Sequence, residues 1–293
     1  MNIANLKAFI ETVQLSSISK AADSLHLTQP AVSLQIQNLE NSIGYQLLTR
    51  SNRGVQLTEY GKVFYSYAQS FITLWDNLEH DLKTIAEDNI TLQVGTCPSI
   101  GQFALPCALY LFKQKYPHIR ASVQTLSSSE VIAEIRDHSL QIGFIEGVPK
   151  QPDIHHDGVF TSELILVASP DHDTNPIHLT ALNNLPLILP PETSDVRRAL
   201  KKQPVLPDTL KPFLELDALE GVKSAVISGH GYSILPYFTI KKELYSGELK
   251  KVDIRDVSLE ITFSMVWRKD GDLPEFGKQF IDFIKTEGVK SFC

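Results

Sequence analysis

Residues with chemistry to offer gather in two places along this chain. Between Ser16 and Ser42, two short helical patterns are separated by a tight turn. In the second, Val32, Ile36 and Leu39 recur at the spacing of one helix face, which turns Pro30, Ser33, Leu34 and Gln37 outward. An outward face of small, amide and apolar groups suits a DNA major groove. An amide pairs with an adenine edge, and a leucine meets a thymine methyl. The second place is a set of polar helix starts. Gly95-Thr96-Cys97-Pro98-Ser99-Ile100-Gly101 closes a strand and opens a helix, Ser127 and Ser128 precede Glu130, and Thr193 and Ser194 precede Arg197. Free N–H groups and the positive end of a helix dipole suit an anion. Together these starts predict a cleft for a small carboxylate or similar anion, although each taken singly also reads as a structural cap.

Signatures of catalysis are missing. There is no Walker sequence, no Gly-x-Gly-x-x-Gly and no Gly-x-Ser-x-Gly. Ser17-Ile18-Ser19-Lys20 fits Ser-x-x-Lys but falls inside the helical segment that carries the DNA-reading pattern. His155-His156-Asp157 and Asp171-His172-Asp173 lack a third ligand at diagnostic spacing, so no metal is expected. The three cysteines, Cys97, Cys107 and Cys293, are too few for a disulfide framework. None lies close in sequence to Cys97, which argues against a thiol switch there. No cofactor is expected, and the chain is not read as an enzyme.

Helices and strands must position these groups. Leu6, Phe9, Ile10 and Val13 form one helical face, and Ile18, Ala21, Ala22 and Leu25 form another after the capping pair Ser16-Ser17. Thr28 is the expected N-cap of a third helix, with Pro30 tolerated in its first turn and Gly44 as its stop. Residues 47–57 read as a hairpin turning at Asn52-Arg53-Gly54. Phe64, Ala68, Phe71, Trp75, Leu78, Leu82 and Ile85 then repeat at the 4-3 spacing of a coiled-coil seam. A seam of that length predicts a partner helix, the alternative being that it packs on its own domain. From Ile90 onward, strands (Ile90–Val94, Ala121–Leu126, Gln141–Ile145, Leu164–Ser169, Phe213–Leu216) alternate with helices (Phe103–Lys115, Leu219–Ser228, Phe276–Thr286). Alternation of this kind predicts α/β units with covered sheets.

Composition agrees. The 293 residues suggest two domains, and 43% hydrophobic with 21% charged residues excludes a disordered, collagen-like or membrane-bundle chain. A net charge of -7 argues against a polybasic nucleic-acid coat. It leaves room for a small DNA reader: residues 1–58 hold four cations against three anions, whereas residues 59–89 hold two against six. No signal peptide is visible at Met1, and the longest apolar runs, Leu164–Ala168 and Leu185–Leu189, are strand-sized. A cytoplasmic protein with no membrane partner is expected.

These residues also carry a family resemblance. Ala21-Ala22, Leu25, Thr28-Gln29-Pro30-Ala31-Val32-Ser33, Ile36, Leu39-Glu40, Gly44, Leu47, Arg50, Arg53, Leu57-Thr58 and Gly61 together resemble the LysR-type transcriptional regulators. The resemblance extends over essentially the whole chain. It implies a winged helix–turn–helix (residues 1–58), a dimerising linker helix (59–89) and a two-lobed sensor similar to periplasmic binding proteins (90–293). It further implies one lobe of about 91–161 plus 266–293 and another of about 162–265, with hinges near Thr161 and Val266. By position, Gln29, Pro30 and Ser33 would touch bases, Arg53 would enter a minor groove from the wing, and Arg50 would neutralise phosphate. Pro98, Ser99, Ile100, Gly101, Ser127, Ser128, Thr193 and Ser194 fall in the family's effector segments. The implied partners are double-stranded promoter DNA with inverted repeats, a second copy through the linker helix, a tetramer of such dimers, and a small effector of unknown identity. Leu48 and Leu34 depart from the family's usual phenylalanine and polar residue, so the operator contact at Leu34 cannot be borrowed. The alternative reading is a cytoplasmic solute-binding protein with a fused helical head and no sequence-specific DNA binding.

Overall fold

The computed structural model describes residues 2–51, 54–87, 90–206, 210–255, 257–269 and 273–292. Two compact units emerge, Met1–Glu87 with Asp137–Ser139, and Asp88–Arg136 with Leu140–Cys293.

The first unit holds α1 (Ile3–Gln14), α2 (Ile18–Ser24), α3 (Gln29–Ile43), the hairpin β1 (Leu48–Ser51) and β2 (Gly54–Leu57), and α4 (Glu59–Glu87). Ser17 caps α2 by accepting the Lys20 N–H at 3.3 Å. His26 takes a left-handed φ of +55° in the turn that follows, and Gly44, at +83°, ends α3. Leu6, Phe9, Ala21, Val32, Ile36, Leu39, Leu47 and Ala68 form the core, with the Phe64 ring edge-on to Phe9 at 5.5 Å.

Phe64 and Ala68 therefore face their own domain, which corrects the expected seam. Among the described side chains, α4 instead exposes Tyr60, Val63, Tyr67, Phe71, Leu74 and Leu78. These lie on an adjacent face, and Phe71 and Leu78 belong to both patterns. Trp75 is half-buried, and the side chains of Leu82 and Ile85 lie outside the described set. The physical reason is competition. The head needs a lid over Phe9, and the first two seam residues supply it.

The second unit is built on one seven-stranded sheet. Its elements are β3 (Ile90–Thr96), α5 (Pro98–Phe103), α6 (Leu105–Lys115), β4 (Ile119–Thr125), α7 (Ser128–Arg136), β5 (Ile142–Glu146) and β6 (Ile154–Ala168). They continue with β7 (Ile188–Leu189), α8 (Asp195–Lys201), β8 (Leu214–Glu215), α9 (Leu219–Ile227), β9 (Tyr232–Pro236), α10 (Tyr237–Ser246), β10 (Lys250–Val252), β11 (Glu260–Arg268) and α11 (Glu275–Phe283). β3 runs parallel to β4 and β5, with helical crossovers between them. β11 lies antiparallel between β5 and β6.

β6 serves two lobes. Ile154 to Glu163 pairs with β11, and Leu164 to Ala168 is flanked by β9 and β10. The outward crossing thus falls just past Thr161. The return crossing does not fall at Val266, which pairs with Gly143 of β5 and His156 of β6, deep in the first lobe. It falls at Leu259–Glu260, where the Leu164 N–H donates to the Leu259 carbonyl at 2.7 Å. β11 belongs wholly to the first lobe because both of its edges hydrogen-bond there. Phe160, Phe263 and Phe238 meet beside the crossings with ring centroids 5.0–5.5 Å apart.

Gly61 opens α4 against the hairpin. A Cβ there would lie 2.0 Å from the Leu47 carbonyl oxygen. Gly61→Ala is expected to cost roughly 1–3 kcal/mol, because backbone rather than a flexible side chain must yield. Thermal denaturation measures this, and an unchanged melting temperature would show that the hairpin moves freely.

Candidate functional site

The helix–turn–helix surface is built by α2 and α3. Val32, Ile36 and Leu39 are buried, while Gln29, Pro30, Leu34 and Gln37 are exposed and Ser33 is half-buried. The face expected to point outward does so. Gln29 Oε1 accepts from the Ser19 hydroxyl at 3.3 Å, which fixes its amide between the two helices. Thr28 stands at the N-cap but makes no side-chain capping bond. Its hydroxyl and the first-turn N–H groups are therefore free for a phosphate oxygen.

Glu40 is a structural residue in this arrangement. Its Oε1 accepts the N–H groups of Leu47 and Leu48 at 2.7 and 3.0 Å, tying the hairpin to α3. Arg50 occupies β1 opposite Val55. Arg53 and Asn52 lie outside the described residues.

The second candidate site is the junction of the two lobes. Each of its residues can be traced to an element. Pro98 sits in the first turn of α5. Ser99 is 3% exposed, with Oγ 3.7 Å from the Cys97 sulfur. Ile100 is fully buried in the core, and a Cβ on Gly101 would meet Thr96 Cγ2 at 2.6 Å. Both residues serve packing rather than an open surface.

Ser127 forms a capping box with Glu130. Its N–H donates to Glu130 Oε2 at 2.8 Å, and its Oγ accepts the Glu130 N–H at 3.3 Å. Hydrogen bonds from the Ser127 hydroxyl and N–H to the carboxyl hold Glu130 below its ordinary range. Ser194 caps α8 by accepting the Arg197 N–H at 3.2 Å, and Thr193 is exposed. Arg197 is 2% exposed and turns into its own lobe, donating to the Leu210 carbonyl at 3.2 Å.

Two acidic residues that sequence reasoning missed occupy the junction. Asp195, at the start of α8, accepts the Ser128 N–H at 3.1 Å from the other lobe and an Arg198 N–H at 2.6 Å. One of the three helix starts expected to hold an anion is thus already filled by the protein's own carboxylate. Glu146, at the end of β5, donates its N–H to Ser128 Oγ at 3.0 Å. Burial and the charge of Asp195 push its carboxyl up to about 8, against the pull of Lys202 and Arg198. A signal for Glu146 did exist: ligands of open α/β sheets gather at the carboxyl ends of parallel strands, and β5 ends there.

A winged helix–turn–helix joined to a two-lobed α/β unit is the architecture of a DNA-binding regulator. Comparison with known proteins makes this particular. Residues 3–62 match the model described as "Bacterial regulatory helix-turn-helix protein, lysR family", and residues 86–288 match "LysR substrate binding domain". The chain belongs to the LysR family of transcriptional regulators. A "Probable RuBisCO transcriptional regulator" of Cyanidioschyzon merolae is 31% identical over 266 residues, 87% of this chain and 88% of its own length. The "HTH-type transcriptional activator CmpR" of Synechocystis is 27% identical, over 95% of this chain and 93% of that one. The crystal structure of CbnR superposes with a TM-score of 0.71 at 20% identity, covering 98% of this chain and 99% of that chain. The protein is a DNA-binding regulator and not an enzyme. The solute-binding alternative falls, because the head itself matches the family's helix–turn–helix. No described helix is long and apolar enough to cross a membrane.

Cys97 is fully buried, and that burial, reinforced by Asp195 and Glu146, pushes its thiol up to about 12. The thiolate is the reactive form, so at pH 8 the native residue should resist alkylation and oxidation. Iodoacetamide labelling read by peptide mass spectrometry checks this. Cys97 should be modified only after unfolding, and fast labelling of the native protein would contradict the burial.

Proposed function

We propose that the chain acts in the cytoplasm as a homo-oligomeric promoter-binding regulator whose hold on DNA is reset by a small molecule at the lobe junction. The observation that carries this reading is the exposed face of α3, amide and small groups over a helix start with an uncommitted cap. Gln29, Pro30, Ser33, Leu34 and Gln37 read base edges. Arg50 neutralises phosphate, and Arg53, by its place in the sequence, enters the minor groove.

The apolar stripe on α4 pairs two copies. Pairing sets two recognition helices about one DNA turn apart, or a multiple of it, which calls for an inverted-repeat operator. Dimers join as tetramers through their sensor units. The effector changes the tetramer's span on DNA only by binding one lobe arrangement more tightly than another. The chain of full-length CbnR "complexed with the target DNA complex" superposes on this one with a TM-score of 0.70. That likeness supports the DNA-bound reading.

Fluorescence anisotropy on DNA from upstream of the coding region tests this function. Binding should exceed that of a scrambled duplex and fall with salt at a slope of about -0.9 per neutralised phosphate. Ser33→Arg should abolish the preference. If neither that duplex nor a genome-wide pull-down yields a preferred site, the reading fails.

The dimer has its own test. Leu74 is 47% exposed, so Leu74→Asp removes little from the monomer's core. Sedimentation should show it shifting the protein toward smaller species while the melting curve of the head stays close to wild type. An unchanged distribution would place the dimer contact elsewhere.

A further inference from the structure

We propose that the effector of this chain carries a positive charge, an ammonium or guanidinium group that enters the lobe junction and pairs with Glu146 beside Asp195. The inference rests on the regulator reading above and assigns the ligand class of its sensor.

At the junction the backbone N–H groups of Ser128 and Glu146 are taken, while one carboxyl oxygen is left unpaired. The Ser128 N–H is given to Asp195, and the N–H of Glu146 is given to Ser128 Oγ. The Ser127 and Ser194 hydroxyls cap their own helices. Arg198 is held by Asp195, and Arg197 faces the Leu210 carbonyl. A ligand arriving here meets two carboxyl groups, one of them with an unpaired oxygen, beside the Arg198 and Lys202 cations.

Glu146 is the converse case. It is 9% exposed, and its Oε2 has no hydrogen-bond partner. A buried ionised carboxylate without a partner is costly, so the protein alone keeps Glu146 protonated at neutral pH. A cationic ligand supplies what is lacking, a donor for Oε2 and a charge that stabilises the ionised form. Asp195 adds a second negative charge close by, already fixed in place by Ser128 and Arg198. Since Asp195 belongs to the second lobe and Glu146 to the first, a cation between them draws on both. That is the differential contact a ligand needs to favour one lobe arrangement.

The same chemistry sets a pH dependence. The groups facing Glu146 are Asp195, Arg198 and Lys202 on or just past α8, with the Ser128 hydroxyl on α7 and the neutral Cys97 thiol beside α5. With the free carboxyl titrating near pH 8, binding a cation below that pH must release the Glu146 proton. Affinity should therefore fall about tenfold for each pH unit below 8 and level off above it.

The test uses the purified full-length protein with two probe sets at millimolar concentrations. Putrescine, agmatine, L-arginine and L-lysine form one; succinate, glutarate and benzoate form the other. Thermal shift and calorimetry are run on wild type and on Glu146→Gln, which mimics the protonated carboxyl in shape and charge. At least one cation should raise the wild-type melting temperature, bind with the stated pH slope, and weaken more than about tenfold in the variant. If the variant does not fold by circular dichroism, the wild-type pH series decides.

The proposal is overturned if carboxylates stabilise both proteins. It is equally overturned if no cation stabilises wild type, or if the bound cation shows no pH slope. Promoter anisotropy on the same wild-type sample separates the two claims. Retained promoter preference with a failed cation arm removes only this inference, whereas lost preference removes the regulator reading itself.

Discussion

Every peptide group of β6 must find a partner, and that demand organises the sensor unit. The strand meets it in two ways along its length. Its first part pairs with β11, and its last residues pair with β9 and β10. One strand thus belongs to two lobes, and β11 begins where the chain returns. The two crossings lie side by side with aromatic rings packed against them. Across the junction stands a charged contact, Asp195 on the Ser128 N–H.

The junction is unusual for what its carboxyl groups do. Asp195 plays the part of a bound anion at the start of α7, where N–H groups and the helix dipole favour negative charge. Burial makes a second negative charge expensive, and the Asp195 charge nearby adds to that cost, which pushes the Glu146 carboxyl up. Burial pushes the Cys97 thiol up as well, with smaller contributions from Asp195 and Glu146.

In the head, the constraint is rigidity between a reading helix and its wing. Glu40 accepts two hairpin N–H groups, and Gly61 lets α4 begin directly against the Leu47 carbonyl. The Thr58 hydroxyl donates to the Gln46 carbonyl at 2.7 Å and accepts the Gly61 N–H at 2.9 Å, closing the same corner. These bonds join α3, the hairpin and the start of α4 into one corner.

Local pattern determined much of this. The 3.6-residue spacing of Val32, Ile36 and Leu39 placed the outward face of α3, Ser17 and Gly44 marked helix ends, and alternation after Ile90 announced α/β units. Those signals rest on contacts within a few residues, which a sequence states directly. Tertiary structure decided the rest. The 4-3 repeat of α4 was legible, but which of its faces stays open depended on Phe9 reaching Phe64. The return crossing depended on strand pairing between residues about a hundred positions apart. Ser127 and Ser194 read equally well as caps or ligand donors until their partners were seen. Asp195 and Glu146 gained their roles only by meeting across the junction, because a carboxyl's charge state is set by burial and neighbouring charges that no local spacing records.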